Sequence, residues 1–143
     1  MVSTIKVSGT WKGGYRVDVQ AGDHVIIVDQ PEAGGGKNEG ANPLEIFLTA
    51  LASCLGTIAA IIARQDRIEL RGFEVSVEGD LDKAYLLGKT EEGCAGFTEL
   101  RAKVNIDADM TDEEKKAFFE RVDCRCPISD NIVKNTKVVY DVV

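Results

Sequence analysis

The chain has few of the residues on which several enzyme classes depend. It contains a single histidine, His24, and a single tryptophan. A Ser–His or Cys–His hydrolase needs a histidine beside a nucleophile and an orienting acid, and the sequence around His24 offers no such context. His24 also falls in a strand-like stretch, so we expect a surface or hydrogen-bonded histidine. Hydrolytic chemistry of this kind is poorly supported.

Basic residues are also in short supply. Lys and Arg number 17 against 24 Asp and Glu, which gives a formal net charge of -7. Nucleic acids and anionic membrane surfaces attract basic patches, so neither is expected as a partner. The balance favours small neutral or weakly charged partners.

Four cysteines are too few for a disulfide scaffold in a chain of 143 residues. Residues 1–10 alternate as a strand does and lack the apolar core of a signal peptide. We therefore expect a cytoplasmic protein with reduced thiols. Zinc binding at Cys124 and Cys126 would need two further ligands, and the sequence offers only His24, Cys94 or carboxylates at distant positions. No metal site is predicted.

A glycine-rich segment spans residues 31–40. Its Lys37 is followed by Asn38 rather than by serine or threonine, and the glycine spacing of a phosphate-binding loop is absent. The segment is therefore interpreted as a lid or crossover loop, and no cofactor is predicted.

One long apolar run does occur, at residues 46–63, and it contains no charged side chain. It is just long enough to suggest a membrane span. Thr49, Ser53 and Thr57 dilute it, and no second run accompanies it. A helix that is apolar on all sides can instead form the buried axis of a domain or dimer, which is the interpretation we favour.

The alternation of apolar and polar residues, together with the turn residues between the alternating stretches, predicts an α+β fold without regular βαβ units. We expect one domain of residues 1–143. Asn42-Pro43 is a favourable helix start, and Thr111 followed by Glu114 is a capping-box pattern. The predicted order is strands at 4–10, 14–20 and 24–29, a helix from 42 to about 64–67, strands at 73–77 and 100–106 joined through 83–96, helices at 111–122 and 127–134, and a strand at 137–142.

The second predicted strand alternates clearly. Tyr15, Val17 and Val19 occupy one face, which we expect to be buried. Arg16 and Asp18 occupy the other face, which we expect to contact water.

Cys54 lies in the middle of the apolar run. Its neighbours on a helix include Phe47, Leu51, Thr57 and Ile58, an apolar surface with one hydroxyl. Free cysteine is among the most buried residue types, so Cys54 can be a core residue. The same surface can instead line a pocket for an alkyl chain attached to a reactive polar group. An apolar wall raises a cysteine pKa, so a reactive Cys54 needs a cationic neighbour.

Cys126 stands directly before Pro127, at the predicted start of a short helix. A helix N-terminus stabilises a thiolate, and Arg125 adds positive charge beside it. Cys54 and Cys126 are a candidate redox pair if the fold brings their sulfur atoms together.

Several segments together resemble the OsmC/Ohr family of thiol peroxidases. They are residues 29–31 (DQP), 35–45 (GGKNEGANPLE), 51–54 (LASC) and 126–129 (CPIS). The resemblance covers nearly the whole chain. It implies an intertwined homodimer in which antiparallel sheets wrap around long central apolar helices.

The resemblance also implies a chemistry and a partner set. Cys54 corresponds to the peroxidatic cysteine, which reduces organic hydroperoxides, or hydrogen peroxide, and becomes a sulfenic acid. Cys126 corresponds to the resolving cysteine, which condenses with it to a disulfide. An external thiol or dithiol reductant then restores the enzyme. The implied role is defence against oxidative stress.

Two further site residues follow from the resemblance. Arg16 is the nearest match to the family's N-terminal arginine. The family's acidic residue falls at Leu44, and the nearest carboxylate, Glu45, lies nine positions before Cys54. At about 100° per residue, that spacing puts Glu45 on the opposite side of the helix. Glu45 therefore either contacts an arginine near the helix start or is a first-turn carboxylate favoured by the helix dipole.

Two other hypotheses remain open at the level of sequence. In one, the fold is a binding module for a small apolar or thiol-bearing molecule, with an unreactive Cys54. In the other, the chain is a structural dimer with inert core cysteines.

Overall fold

A computed structural model describes residues 1–143. The contacts between residues separate the chain into two compact units, Met1–Phe47 and Leu48–Val143. The first unit consists of strands and a glycine-rich loop, and the second contains most of the helices. The predicted α+β class is confirmed.

The first unit contains a three-stranded antiparallel sheet in the order β1 (Val7–Gly13), β2 (Arg16–Ala21), β3 (His24–Val28). Each of the two turns that join these strands contains a glycine with a positive φ, which is 102° at Gly13 and 59° at Gly22. Only glycine adopts such angles without steric cost. The three predicted strands are therefore present, although the first begins at Val7 rather than at residue 4.

The predicted faces of β2 are partly wrong. Tyr15 is 58% exposed because it lies in the turn before the strand, while Val17 and Val19 are half-buried. Arg16 and Asp18, expected in water, are also half-buried. They pair with each other, and that pairing offsets the cost of partial removal from water.

The loop after β3 is more ordered than its composition predicts. It contains a 3-10 turn, Glu32–Gly34, and Val28 bridges to Ala41 as a parallel strand would. A Cβ atom at Gly36 would lie 2.0 Å from the carbonyl oxygen of Gln30, so no other residue fits there without a backbone shift. The glycines of this loop therefore allow its backbone to lie directly against the backbone of the preceding residues, at Gln30 and at Ile27.

The long predicted helix is α1 (Pro43–Asp66). Asn42 caps its start, because the Asn42 side-chain oxygen accepts the amides of Leu44 and Glu45, both at 3.0 Å. The helix ends where Arg67 takes a left-handed φ of 59° and the Ile68 amide reaches back to the Ala63 carbonyl at 2.8 Å. Such a reversal is a common way to satisfy the last carbonyls of a helix.

The second unit adds a two-stranded antiparallel sheet and three more helices. They are β4 (Gly72–Leu81), α2 (Lys83–Leu86), β5 (Phe97–Asp107), α3 (Asp112–Arg125) and α4 (Pro127–Val133). Thr111 caps α3 through the predicted capping box with Glu114. The register pairs Phe73 with Ile106 and Val75 with Val104, so these side chains share the face that packs on the core.

The core of this unit forms around α1, whose buried residues recur every three or four positions. They are Leu51, Leu55, Ala59, Ile62 and Ala63. Phe118 and Val122 of α3 pack into the same cluster, as does Cys126, between α3 and α4. Phe118 and Val122 thus form the buried stripe of α3, and the neighbouring Phe119 is half-buried.

The predicted final strand at 137–142 is wrong. The chain has no regular structure after Val133, and Val138, Val139 and Tyr140 are 65%, 74% and 86% exposed. The alternating pattern suits a strand, but a strand also needs a neighbouring edge to satisfy its backbone groups. No edge of this chain pairs with the segment.

Helix α1 is long and apolar enough to cross a membrane, with a mean hydropathy of 2.3 over its most apolar window. The core helix of a soluble protein has the same length and composition, so a single helix of this kind is only a weak indication of a membrane span. Only 28% of that window is buried within the single chain.

Candidate active site

Two thiols from distant parts of the second unit meet against its core. Cys54 lies in the middle of α1, and Cys126 lies at the junction of α3 and α4. Their Sγ atoms are 2.9 Å apart, although 72 positions separate them in the chain. A disulfide bond is about 2.05 Å long, so only a short movement separates these free thiols from a covalent bond.

Cys126 is held by the turn that joins the two helices. Its amide donates to the Asp123 carbonyl at 3.1 Å, and its Sγ accepts the Ser129 amide at 3.4 Å. The Ser129 hydroxyl in turn donates to Oδ1 of Asp123 at 2.6 Å. Asp123 and Ser129 thus close a ring of hydrogen bonds around Cys126, whose exposure is 0%.

Burial raises the pKa of the Cys126 thiol, because the charged thiolate is poorly solvated there. The hydrogen bond that this thiol donates to Cys54 raises the pKa further, and the amides of Ser129 and Ile128 act in the opposite direction. The sequence-based expectation of a stabilised thiolate at Cys126 is therefore wrong. The helix start is present as predicted, but burial has the larger effect.

Cys54 is half-buried, at the border between the core-facing and exposed sides of α1. Among the residues predicted to surround it, Leu51 belongs to the core and Ile58 packs against the core. Thr57 is exposed and donates its hydroxyl to the Ser53 carbonyl at 2.9 Å, while Phe47 is 41% exposed.

The other two thiols, Cys94 and Cys124, are both exposed. No three histidine, cysteine, aspartate or glutamate side chains lie close enough together to hold a metal ion.

Arg16, in the first unit, is held by two carboxylates. Its Nε and Nη2 donate to the two oxygens of Asp18 at 2.7 and 3.1 Å, and its Nη1 donates to Glu39 at 3.0 Å. These bonds raise the pKa of Arg16 above its already high ordinary value, so the guanidinium is always charged. Neither partner was predicted from the sequence: Asp18 was expected only to contact water, and Glu39 lies 23 positions from Arg16 in an irregular loop.

The carboxylate of Asp29 holds the glycine-rich loop after β3 in place through hydrogen bonds to its amides. The side chain is 2% exposed, and its carboxylate accepts the amides of Gln30, Lys37 and Glu39 at 2.8, 3.0 and 3.2 Å. These amide bonds lower the pKa of Asp29 below its ordinary value. The sequence offered a signal, because aspartate before a proline–glycine segment often binds the amides of its own loop.

Glu45 is a helix-capping residue in this structure. Its Oε2 accepts the Asn42 amide at 2.8 Å, which completes a reciprocal cap at the start of α1. The carboxylates bonded to Arg16 are those of Asp18 and Glu39. Of the two possibilities for Glu45, the structure therefore shows the first-turn carboxylate.

A family model described as OsmC-like protein matches residues 35–141, a range that includes both thiols of the pair. The chain belongs to the OsmC-like family. The resemblance noted in the sequence is thereby confirmed.

One relative of this OsmC-like chain is a protein of Mycoplasma genitalium named hydroperoxide reductase. The two are 31% identical over 96 residues, which cover 67% of this chain and 64% of the relative. The match thus spans slightly less than two thirds of the relative's length.

Solved structures of OsmC-like proteins share the fold. An OsmC-like protein of Mycoplasma pneumoniae superposes with a TM-score of 0.81 at 20% identity, over 94% of this chain and 91% of that one. An organic hydroperoxide resistance protein of Elizabethkingia anophelis gives 0.71 at 24% identity, with the same coverage of both chains.

Proposed function

We propose that this OsmC-like protein is a cysteine-based peroxidase that reduces organic hydroperoxides, with hydrogen peroxide as a second substrate. The observation that carries the proposal is the 2.9 Å contact in which the Cys126 thiol donates a hydrogen bond to Cys54 Sγ. The names of the M. genitalium relative and of the E. anophelis protein, both concerned with hydroperoxides, support it.

Cys54 is the proposed peroxidatic residue, because it is the acceptor of that hydrogen bond and is more exposed than Cys126. Its thiolate attacks the terminal oxygen of the hydroperoxide. A sulfur–oxygen bond forms, the O–O bond breaks, and the other oxygen takes a proton and leaves as the alcohol. Cys54 is left as a sulfenic acid.

Cys126 is the proposed resolving residue. Its sulfur attacks the sulfenic acid sulfur, the sulfur–oxygen bond breaks, and the hydroxyl leaves as water with the Cys126 proton. The product is a Cys54–Cys126 disulfide. Since the sulfur atoms already touch, this step needs little rearrangement of the protein.

The other predicted site residues have different roles in the proposed peroxidase. Arg16 is the proposed activating cation, the part that the family resemblance implies for it, and Glu45 contributes by fixing the start of the helix that carries Cys54. The proposed alkyl-binding wall consists of Phe47, Leu51, Thr57 and Ile58. The proposed assembly is a homodimer, reduced by an external thiol or dithiol, that acts in peroxide defence.

Thiol titration tests the proposal. One equivalent of cumene hydroperoxide should remove two thiols per chain from the wild type and from the Cys94→Ser control, whose changed residue is exposed. Cys54→Ser should lose none, and Cys126→Ser should accumulate a sulfenic acid that dimedone traps.

Two results would contradict it. Peroxide consumption by Cys54→Ser at the wild-type rate excludes Cys54 as the reactive thiol. A wild-type protein that loses no thiols favours the binding-module hypothesis.

A further inference from the structure

The two sulfur atoms of the pair differ sharply in their access to solvent. Cys126 has an exposure of 0%, whereas Cys54 is half-buried. A disulfide between them would therefore present unequal targets to an incoming thiolate. Thiol–disulfide exchange needs in-line approach to one sulfur, and access helps to decide which sulfur is attacked.

We propose that the reductant opens the Cys54–Cys126 disulfide at the Cys54 sulfur, and that Ser129 is a positioning residue that keeps the Cys126 sulfur out of reach. This inference rests on the proposed function, since it concerns the disulfide that the peroxidase cycle forms.

The shielding of Cys126 depends on the turn between α3 and α4. Ser129 contacts both ends of this turn, with its amide on Cys126 Sγ and its hydroxyl on the Asp123 carboxylate. The Asp123 carbonyl also accepts the Cys126 amide. Loss of the Ser129 hydroxyl would remove the contact with the Asp123 carboxylate and leave only the two amide hydrogen bonds, to Cys126 Sγ and to the Asp123 carbonyl, so the turn would open more often.

A reductant thiolate forms a bond to Cys54 Sγ, the Cys54–Cys126 bond breaks, and its electron pair leaves on Cys126 Sγ. The amides of Ser129 and Ile128 stabilise that charge until a proton from solvent replaces it. Burial, which raises the pKa of Cys126, makes it a slow leaving group, so the choice of Cys54 follows from access rather than from leaving-group quality.

Mass spectrometry can identify the attacked sulfur. We would use full-length Cys94→Ser/Cys124→Ser protein, which retains both site thiols, and oxidise it with diamide. A short reaction with 2-mercaptoethanol, an acid quench and alkylation with N-ethylmaleimide would follow. Tryptic cleavage places Cys54 in residues 38–64 and Cys126 in residues 126–134, so each adduct is counted on its own peptide.

We expect mercaptoethanol adducts on Cys54 to exceed those on Cys126 by at least about tenfold, because attack on a shielded atom requires local opening. A tenfold ratio corresponds to about 1.4 kcal/mol. Ser129→Ala should reduce the ratio, and Ser129→Thr, which keeps the hydroxyl, should restore it. Ser76→Ala, at an exposed serine of β4, should leave it unchanged.

Equal adducts on both peptides, or a majority on Cys126, would overturn the proposal, as would failure of diamide to form the disulfide. An unchanged ratio of Cys54 to Cys126 adducts in Ser129→Ala would show that Ser129 does not shield the Cys126 sulfur. Since diamide replaces the peroxide, the result does not depend on peroxidase activity. A protein that fails the titration with cumene hydroperoxide can still give a clear answer here.

Discussion

At the scale of single residues, surroundings decide the chemistry more than residue type does. Cys54 and Cys126 have the same side chain, yet one is partly accessible and the other is sealed by a hydrogen-bonded turn. Asp29 shows the same effect with opposite sign. Its burial alone would raise its pKa, but three backbone amides lower it. A buried carboxylate is tolerated where its oxygen atoms are bonded in this way.

We predict that Asp29→Asn destabilises the first unit at neutral pH. Both oxygens of Asp29 accept amides, whereas asparagine would turn its NH₂ group toward at least one amide donor. Because folding lowers the pKa of Asp29, its contribution to stability is present above the unfolded value of about 4. That contribution is lost as the pH falls through the folded pKa.

The free energy of unfolding, measured in urea at several pH values, checks this. The difference between wild type and Asp29→Asn should be largest near pH 7 and should shrink below about pH 4. Asp23→Asn, an exposed substitution in the turn before β3, is the matched control. A difference that stays constant with pH would contradict an ionic role for Asp29.

Residue-level prediction from sequence was limited by contacts between distant positions. The motifs indicated Arg16 and the two thiols, but not that Glu39 would bind Arg16 or that burial would raise the pKa of Cys126. Both facts depend on which side chains the folded chain brings together, and local spacing does not contain that information.

At the scale of elements, the ends of helices carry much of the local information. Helix α3 begins with the reciprocal pair Thr111 and Glu114, in which the Thr111 amide donates to Glu114 at 2.7 Å and the Glu114 amide donates to Thr111 Oγ1 at 3.2 Å. This helix supplies Phe118 and Val122 to the core beneath the thiol pair.

Thr111→Ala should therefore lower the free energy of unfolding by about 1 kcal/mol, within the range of about 0.5–2 kcal/mol that is typical for lost N-caps. Thr111→Ser keeps the oxygen and should stay close to the wild type. Equilibrium unfolding in urea, followed by far-UV circular dichroism, gives both values. Equal stability of the alanine and serine variants would show that the cap contributes nothing.

Elements with strong local signals were predicted well from sequence. The Asn42-Pro43 start of α1 and the capping box of α3 agree with the structure, because caps act within one turn. The segment 137–142 fails because its alternation specifies only one face of a strand. A strand also requires a partner edge, and nothing in the segment itself indicates whether this chain supplies one.

At the scale of the whole molecule, the exposed side of α1 is the main feature that a single chain leaves unexplained. Less than a third of its most apolar window is buried. Ile61 is 40% exposed, and Ser53, Thr57 and Ala60 are exposed on the same side of the helix. Small and apolar residues of this kind allow close packing of a second helix, which is the arrangement expected of the proposed homodimer.

The proposed homodimer makes a direct prediction about mass. The wild type should elute with a light-scattering mass of twice the 15.5 kDa chain at micromolar concentration. Ile61→Glu should shift it toward the monomer, because burial of an unpaired carboxylate at a helix interface is costly. Leu87→Glu, at a 60% exposed position after α2, is the matched control and should remain dimeric. A monomeric wild type would exclude the dimer and leave the apolar side of α1 without its proposed partner.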